Sequence, residues 1–169
     1  MSKVILIVDP QIDFISGSLP VPNASEAMDW LSEYIGQHYN EYDHLVVTLD
    51  QHPLKHCSFQ ENGGFWPVHC LKYSNGAAIY PLLMDRIKAV SKHIPVTFLE
   101  KATQEDKDEY SSFEKDVPQI LLDADHIDVA GLAGDVCVRQ SVEDLKKHGL
   151  GDKIHKLEKG IAYIMIPEK

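Results

Sequence analysis

The opening run Lys3 to Val8 (KVILIV) sets the terms on which this chain can fold. A strand with one wet face alternates polar and apolar residues, whereas an unbroken β-branched run of strand length suits a strand buried on both faces of a parallel sheet. The run ends at Asp9-Pro10, where the backbone turns. Parallel neighbours need crossover connections, so helices are expected between the later strands.

The rest of the chain reads that way. Met28, Leu31, Ile35 and Tyr39 recur at helical spacing, predicting a helix over Ser25 to Tyr39 with Asn23 or Ser25 as N-cap. A strand is expected over His44 to Leu49, a helix over Tyr80 to Val90, a short strand over Val96 to Leu99 and a helix over Val117 to Ala124 packing through Ile120 and Leu121. His126 to Leu132 (HIDVAGL) is the next buried strand, followed by a helix from about Val136 to His148 that stops at Gly149. A final strand falls within Lys153 to Ile166. Strands alternating with helices indicate an α/β fold: an open, mostly parallel sheet with helices on both faces. With 169 residues, no repeat and no Pro/Gly/Ser-rich linker, one domain spanning 1–169 is expected.

Bulk properties remove several classes of function. A formal net charge of −10, with acids interleaved among the lysines near Lys146 and Lys153 to Lys159, argues against a nucleic-acid partner. No apolar run reaches membrane-spanning length and the start lacks a signal-peptide pattern, so a cytoplasmic protein without a membrane partner is expected. Three cysteines, Cys57, Cys70 and Cys137, form no closed disulfide framework.

In open α/β sheets ligands sit at the carboxyl ends of the strands. Asp9, Lys101 and Cys137 fall at three such ends. Taken singly, they read as a turn residue, a surface charge and a small core residue. Together they offer a proton acceptor, a stabilising ammonium and a thiol at a helix N-terminus, which is the equipment of a cysteine nucleophile. The long irregular segment Gln51 to Pro81 supplies a second set. Asp50 and His52, two apart in extended chain, share a side, and His56 and His69 follow. One carboxylate with two or three imidazoles suits one divalent ion, zinc first, with iron or manganese as alternatives. A structural zinc site built from His56, Cys57, His69 and Cys70 is a weaker rival, because neither cysteine belongs to a CxxC pair. Phe14, Leu19, Trp66 and Tyr110 lie in or near these loops and are candidates to wall a flat ring.

These segments resemble a known family. VDPQIDF (Val8 to Phe14) with Gly17-Ser18-Leu19, LDQHPLKHCSF (Leu49 to Phe59), FWPVHC (Phe65 to Cys70), Lys101 with DEYSSF (Asp108 to Phe113), and GLAGDVCVRQSVEDLKKHG (Gly131 to Gly149) are similar, in order, to the nicotinamidase/pyrazinamidase branch of the isochorismatase-like cysteine hydrolases. The resemblance implies a three-layer α/β/α, flavodoxin-like domain and a triad of Cys137, Asp9 and Lys101. It also implies a non-proline cis peptide before Ala133, an oxyanion hole from the N–H groups of Ala133 and Cys137, and metal ligands Asp50, His52 and His69, with His56 a fourth in some relatives. Phe14, Leu19, Trp66 and Tyr110 would border the substrate ring. The implied activity is metal-dependent hydrolysis of nicotinamide, and of pyrazinamide, through a thioester in NAD salvage; a related cysteine hydrolase acting on another small amide or carbamoyl compound is the alternative. Relatives are often homo-oligomers. Val136, beside the nucleophile, and Ser112 depart from residues common at those places in the family.

Overall fold

A computed structural model describes residues 1–165. Among these residues five strands form one sheet: β1 (Lys3–Val8), β2 (His44–Asp50), β3 (Val96–Lys101), β4 (His126–Leu132) and β5 (Ile154–Ala162). Their order is β3-β2-β1-β4-β5 and every pairing is parallel. The KVILIV run is thus the central strand, flanked on both edges and covered on both faces. The helices are α1 (Ala24–His38), α2 (Pro81–Val90), α3 (Gln119–Leu122) and α4 (Cys137–Lys147).

Alternation along each strand divides the interior into two cores. Ile5, Ile7, Leu45, Val47 and Leu49 face one way and pack with Met28, Leu31 and Ile35 of α1 and Leu83 and Ile87 of α2. Val4, Leu6, Val8, Val46, Ile127 and Val129 face the other way, against Leu121 of α3 and Val138, Val142 and Leu145 of α4. This is the expected three-layer arrangement. Among the described residues no helix is long and apolar enough to cross a membrane.

Several elements differ in detail from the sequence expectations. The helix expected over Val117 to Ala124 is only the single turn Gln119–Leu122, since Pro118 starts it and a type of tight turn at Asp123 and Ala124 closes it. The third strand runs two residues further, to Lys101, because its backbone pairs with β2 up to the Asp50–Lys101 register. Asn23 does occupy the N-cap of α1, but in a left-handed conformation (φ 64°) with no side-chain cap bond. The last strand ends at Ala162; Ile166, the outer limit of its expected range, lies outside the described residues.

Two glycines are required where they stand. Gly149 (φ 83°) follows α4, and the N–H groups of Gly149 and Leu150 bond the carbonyls of Lys146 and Leu145, closing the helix end. Gly131 (φ 128°) lets β4 approach β1 so closely that a side-chain carbon there would lie 2.1 Å from the Val8 carbonyl oxygen.

Strand order reverses about β1, with β2 and β3 on one side and β4 and β5 on the other. A crevice opens at the carboxyl end of the sheet where the order switches. Asp9 follows β1, Asp50 ends β2, Lys101 ends β3, and Ala133 to Cys137 connect β4 to α4.

Candidate active site and metal centre

Lys101 is the hub of the site. It is 2% exposed, and its ammonium lies 2.8 Å from Asp9 Oδ2, in contact with Asp50 Oδ1, and 3.6 Å from Cys137 Sγ. The parallel register explains this: Asp50 and Lys101 are direct partners on adjacent strands, and Asp9 stands one strand further in. The Glu109 carbonyl accepts a further bond from the ammonium at 3.3 Å. A buried ion pair is tolerable only when such bonds satisfy the remaining donors.

Asp9 is fully buried, with a left-handed backbone (φ 46°), and its Oδ1 accepts a hydrogen bond from the Thr48 hydroxyl at 2.9 Å. Its Oδ2, though close to the ammonium, has no aligned hydrogen-bond donor. Ligand atoms of Asp9, Asp50 and Cys137 all lie within 4.8 Å of one another, which sets the Asp9 carboxylate beside the sulfur. Burial pushes the Asp9 carboxyl up to about 6, with Lys101 opposing. Burial likewise pushes the Cys137 thiol well above its ordinary value, again against the pull of Lys101. Burial would also raise Asp50, but Lys101 and His52 outweigh it and hold that carboxyl below the usual range. Burial would lower Lys101; Asp50 and Asp9 outweigh it and keep the ammonium charged.

Cys137 is the first residue of α4, so its N–H has no carbonyl partner within the helix. The Leu132–Ala133 peptide is cis. The Ala133 carbonyl accepts the N–H groups of Val136 and Val138 at 3.1 Å each, wrapping the 133–136 loop around the helix start.

Asp50, His52 and His69 form the second cluster, all buried, with ligand atoms within 4.8 Å of one another. His52 donates its Nδ1–H to the Ala102 carbonyl at 3.0 Å, and His69 donates its Nδ1–H to the Pro67 carbonyl at 2.8 Å. In their neutral forms both imidazoles therefore turn an Nε2 lone pair inward, and the two Nε2 atoms face each other at 3.2 Å, with Asp50 Oδ2 at 3.4 and 3.9 Å from them. Converging lone pairs repel unless a cation sits among them, so this donor set fits a divalent ion. His56 is placed differently. It stacks on His52 with ring centroids 4.1 Å apart, its Nε2–H donates to the Lys107 carbonyl at 2.9 Å, and its Nδ1 accepts from the Ser58 hydroxyl at 2.7 Å. Both ring nitrogens are occupied, so His56 stands behind the cluster rather than in it. Among the described residues neither Cys57 nor Cys70 joins a metal-capable group, and the rival His/Cys site is not formed.

Between the clusters lies a cavity of about 360 Å³, its open mouth included, lined by Phe14, Leu19, Trp66, Tyr110, Ala133 and Cys137 among others. All four candidate ring contacts therefore border one space. Trp66 donates its indole N–H to the Tyr110 hydroxyl at 3.1 Å, and the Phe14 ring lies 5.7 Å from that of His69.

Sequence reasoning missed several contributors. Asp108 and Ile164 also line the cavity, together with Val136, the residue beside the nucleophile that departs from the family pattern. Gln11 is fully buried and braces Asp50, accepting its N–H at 2.8 Å and donating to its carbonyl at 2.6 Å. Asp13 accepts the N–H groups of Cys70 at 2.7 Å and Ser18 at 3.1 Å, in a niche where a side-chain carbon at Gly17 or Gly76 would lie 2.1 Å from its oxygens. A signal for both was available: Asp9, Gln11 and Asp13 are polar residues two apart directly after an apolar strand.

Residues 3–151 match the isochorismatase domain family. The chain belongs to the isochorismatase family. Within it, this isochorismatase-family protein is 32% identical to the nicotinamidase/pyrazinamidase of Mycobacterium tuberculosis over 90% of its own length and 83% of that relative's. The pyrazinamidase of Pyrococcus horikoshii, solved in complex with zinc, superposes with a TM-score of 0.81 at 31% identity, covering 98% of this chain and 88% of that one. PnC1 from L. infantum, solved in complex with nicotinate, gives a TM-score of 0.81 at 29% identity, with 97% and 82% covered.

Proposed function

We propose that this isochorismatase-family chain is a cysteine amidohydrolase that converts nicotinamide to nicotinate and ammonia, in one cytoplasmic domain. One observation carries the reading: a buried thiol with the Asp9 carboxylate within 4.8 Å of it lines the same cavity as Asp50 and His69 of the metal-capable cluster. The similarity to nicotinamidase/pyrazinamidase relatives supports the choice of amide.

In this reading the raised carboxyl of Asp9 is matched to its task. Ionised near neutral pH yet basic enough to accept a proton, Asp9 takes the thiol proton as Cys137 Sγ attacks the carboxamide carbon. Lys101 offsets the negative charge as it moves from carboxylate to sulfur. The N–H groups of Ala133 and Cys137 receive the carbonyl oxygen as it gains charge. Asp9 then passes its proton to the amide nitrogen, the C–N bond breaks, and ammonia leaves a thioester on Cys137. Water attacks that thioester with Asp9 again accepting a proton; the C–S bond breaks, nicotinate departs, and the sulfur regains its hydrogen.

Asp50, His52 and His69 would hold a divalent ion, for which zinc is the first choice, and when bound it supplies a Lewis-acid anchor for a ring nitrogen. Phe14, Leu19, Trp66 and Tyr110 border the ring and keep the carboxamide over Cys137.

The test is ammonia and nicotinate release from nicotinamide by the metal-loaded protein and by Cys137→Ala. Equal amounts of the two products from wild type, and a loss of at least ~1000-fold in the variant, are expected. Absence of ammonia from the metal-loaded wild type would overturn the assignment.

A further inference from the structure

The chemistry described above leaves one carboxylate beside the nucleophile without a role. Asp135 stands two residues before Cys137, and among the described residues no cation pairs with it. Its Oδ1 accepts the N–H of Ile164 at 2.9 Å, and its Oδ2 accepts the N–H of Met165 at 2.9 Å. Both amides lie beyond β5, where β4 has already turned away into the 133–136 loop, so no strand remains to pair them. The same loop holds the segment by two further contacts. Gly134 donates its N–H to the Ala162 carbonyl at 2.8 Å, and a side-chain carbon at Gly134 would lie 2.4 Å from the Tyr163 ring. The segment therefore lies flat on the nucleophile loop, and Ile164 reaches the cavity beside Ala133, Val136 and Cys137.

We propose that Asp135 is a positioning residue that clasps the segment after β5 onto the nucleophile loop, and that Ile164, so held, is a specificity-determining wall limiting the substituents a substrate ring can carry. A carboxylate bonding two successive amides fixes both the height and the twist of that segment, which a single bond would not. An apolar side chain held at that point excludes water from the reacting carbonyl and leaves no room for an added alkyl group on the ring edge it faces. The Ile164 half of the proposal rests on the nicotinamidase reading; the Asp135 half does not.

The two halves are tested separately. For the clasp, amide hydrogen exchange at Ile164 and Met165 is compared in wild type and Asp135→Asn, which keeps one acceptor oxygen and the size of the side chain. Exchange faster by about tenfold or more at Met165, Ile164 or both is expected; unchanged exchange at both overturns the clasp, whatever the enzyme does. For the wall, kcat and KM are measured for nicotinamide and for nicotinamides bearing one methyl group at each free ring carbon in turn. In Ile164→Ala at least one methylated amide gains about tenfold or more in kcat/KM relative to nicotinamide. Asp135→Asn raises KM more than it lowers kcat and shifts the series the same way, and the double variant adds little to either alone. No gain for any methylated amide relative to nicotinamide in Ile164→Ala overturns the wall. If wild type turns over none of these amides, the nicotinamidase reading fails, and binding of the same series to Cys137→Ala decides the wall instead.

Discussion

Asp9 performs its proposed work through an environment that opposes its ionisation. Its pKa rises from an ordinary 3.8 to about 6 because burial outweighs the attraction of Lys101. A raised carboxylate loses its charge as pH falls through that value, and with the charge goes its capacity to take the thiol proton. The acid limb of kcat/KM for nicotinamide is therefore expected to have its midpoint near pH 6, in stopped assays at fixed ionic strength, and Asp9→Asn is expected to lower kcat by about 10⁴-fold across the whole range. A limb centred near pH 4 would show that Asp9 is not the group being titrated. Histidine variants separate the roles within the second cluster. His52→Ala and His69→Ala each lose a stoichiometric divalent ion by elemental analysis, while His56→Ala retains it, since both His56 nitrogens already have partners. Retention by all three would refute the assigned ligands.

The elements explain why some of this was readable from residue order and some was not. KVILIV announced a doubly buried strand because burial on both faces leaves no polar phase in the sequence, whereas HIDVAGL is buried although His126 and Asp128 share one face, Asp128 being bonded there by the Tyr42 hydroxyl and the His126 ring. Once the strands were placed, the residues following them were placed too, which is how Asp9, Lys101 and Cys137 came to notice. Thr48 escaped because its importance lies in the Asp9 carboxylate it meets, and spacing carries no trace of that, whereas Gln11 shares the two-residue spacing of Asp9 and Asp13. Ile164 escaped for a similar reason: an isoleucine after a strand looks like any core residue until a neighbouring loop is seen to turn it toward a cavity. A helix at α3 was legible but its length was not, because the lost turns are set by Pro118 and by packing, not by periodicity. Element ends also carry measurable cost. Gly149→Ala forces a side chain into the left-handed closure of α4 and is expected to lower stability by about 1 kcal/mol in urea titration. Gly131→Ala, with 2.1 Å to the Val8 oxygen, is expected to cost about 3 kcal/mol or more and to slow turnover as well, since Asp9 is the next residue along. Equal effects of the two substitutions would contradict the close approach of β1 and β4.

At the scale of the whole molecule, the sheet is a wall between two cores that, among the described residues, share no side chains. Ile35→Val on one face and Ile127→Val on the other are each expected to cost about 0.5–1.5 kcal/mol, and the double variant the sum within ~0.5 kcal/mol, by urea denaturation. Strong coupling between them would mean that the two layers rearrange together. The left-handed residues Asp9, Cys70 and Ala102 share a rim of this wall, each at or next to a group of the candidate site. Asp9 is anchored to the central strand, but the imidazoles and Trp66 hang on the 51–81 excursion, which contributes isolated bridges and short 3-10 turns rather than strands. Under gentle denaturing stress the protein should consequently fail in two stages, shedding its ion and its grip on the ring while the proton acceptor still rests in an unbroken sheet. An inactivated sample of that kind would keep its far-ultraviolet signature and recover on dilution, a silent state that a melting curve alone would record as native.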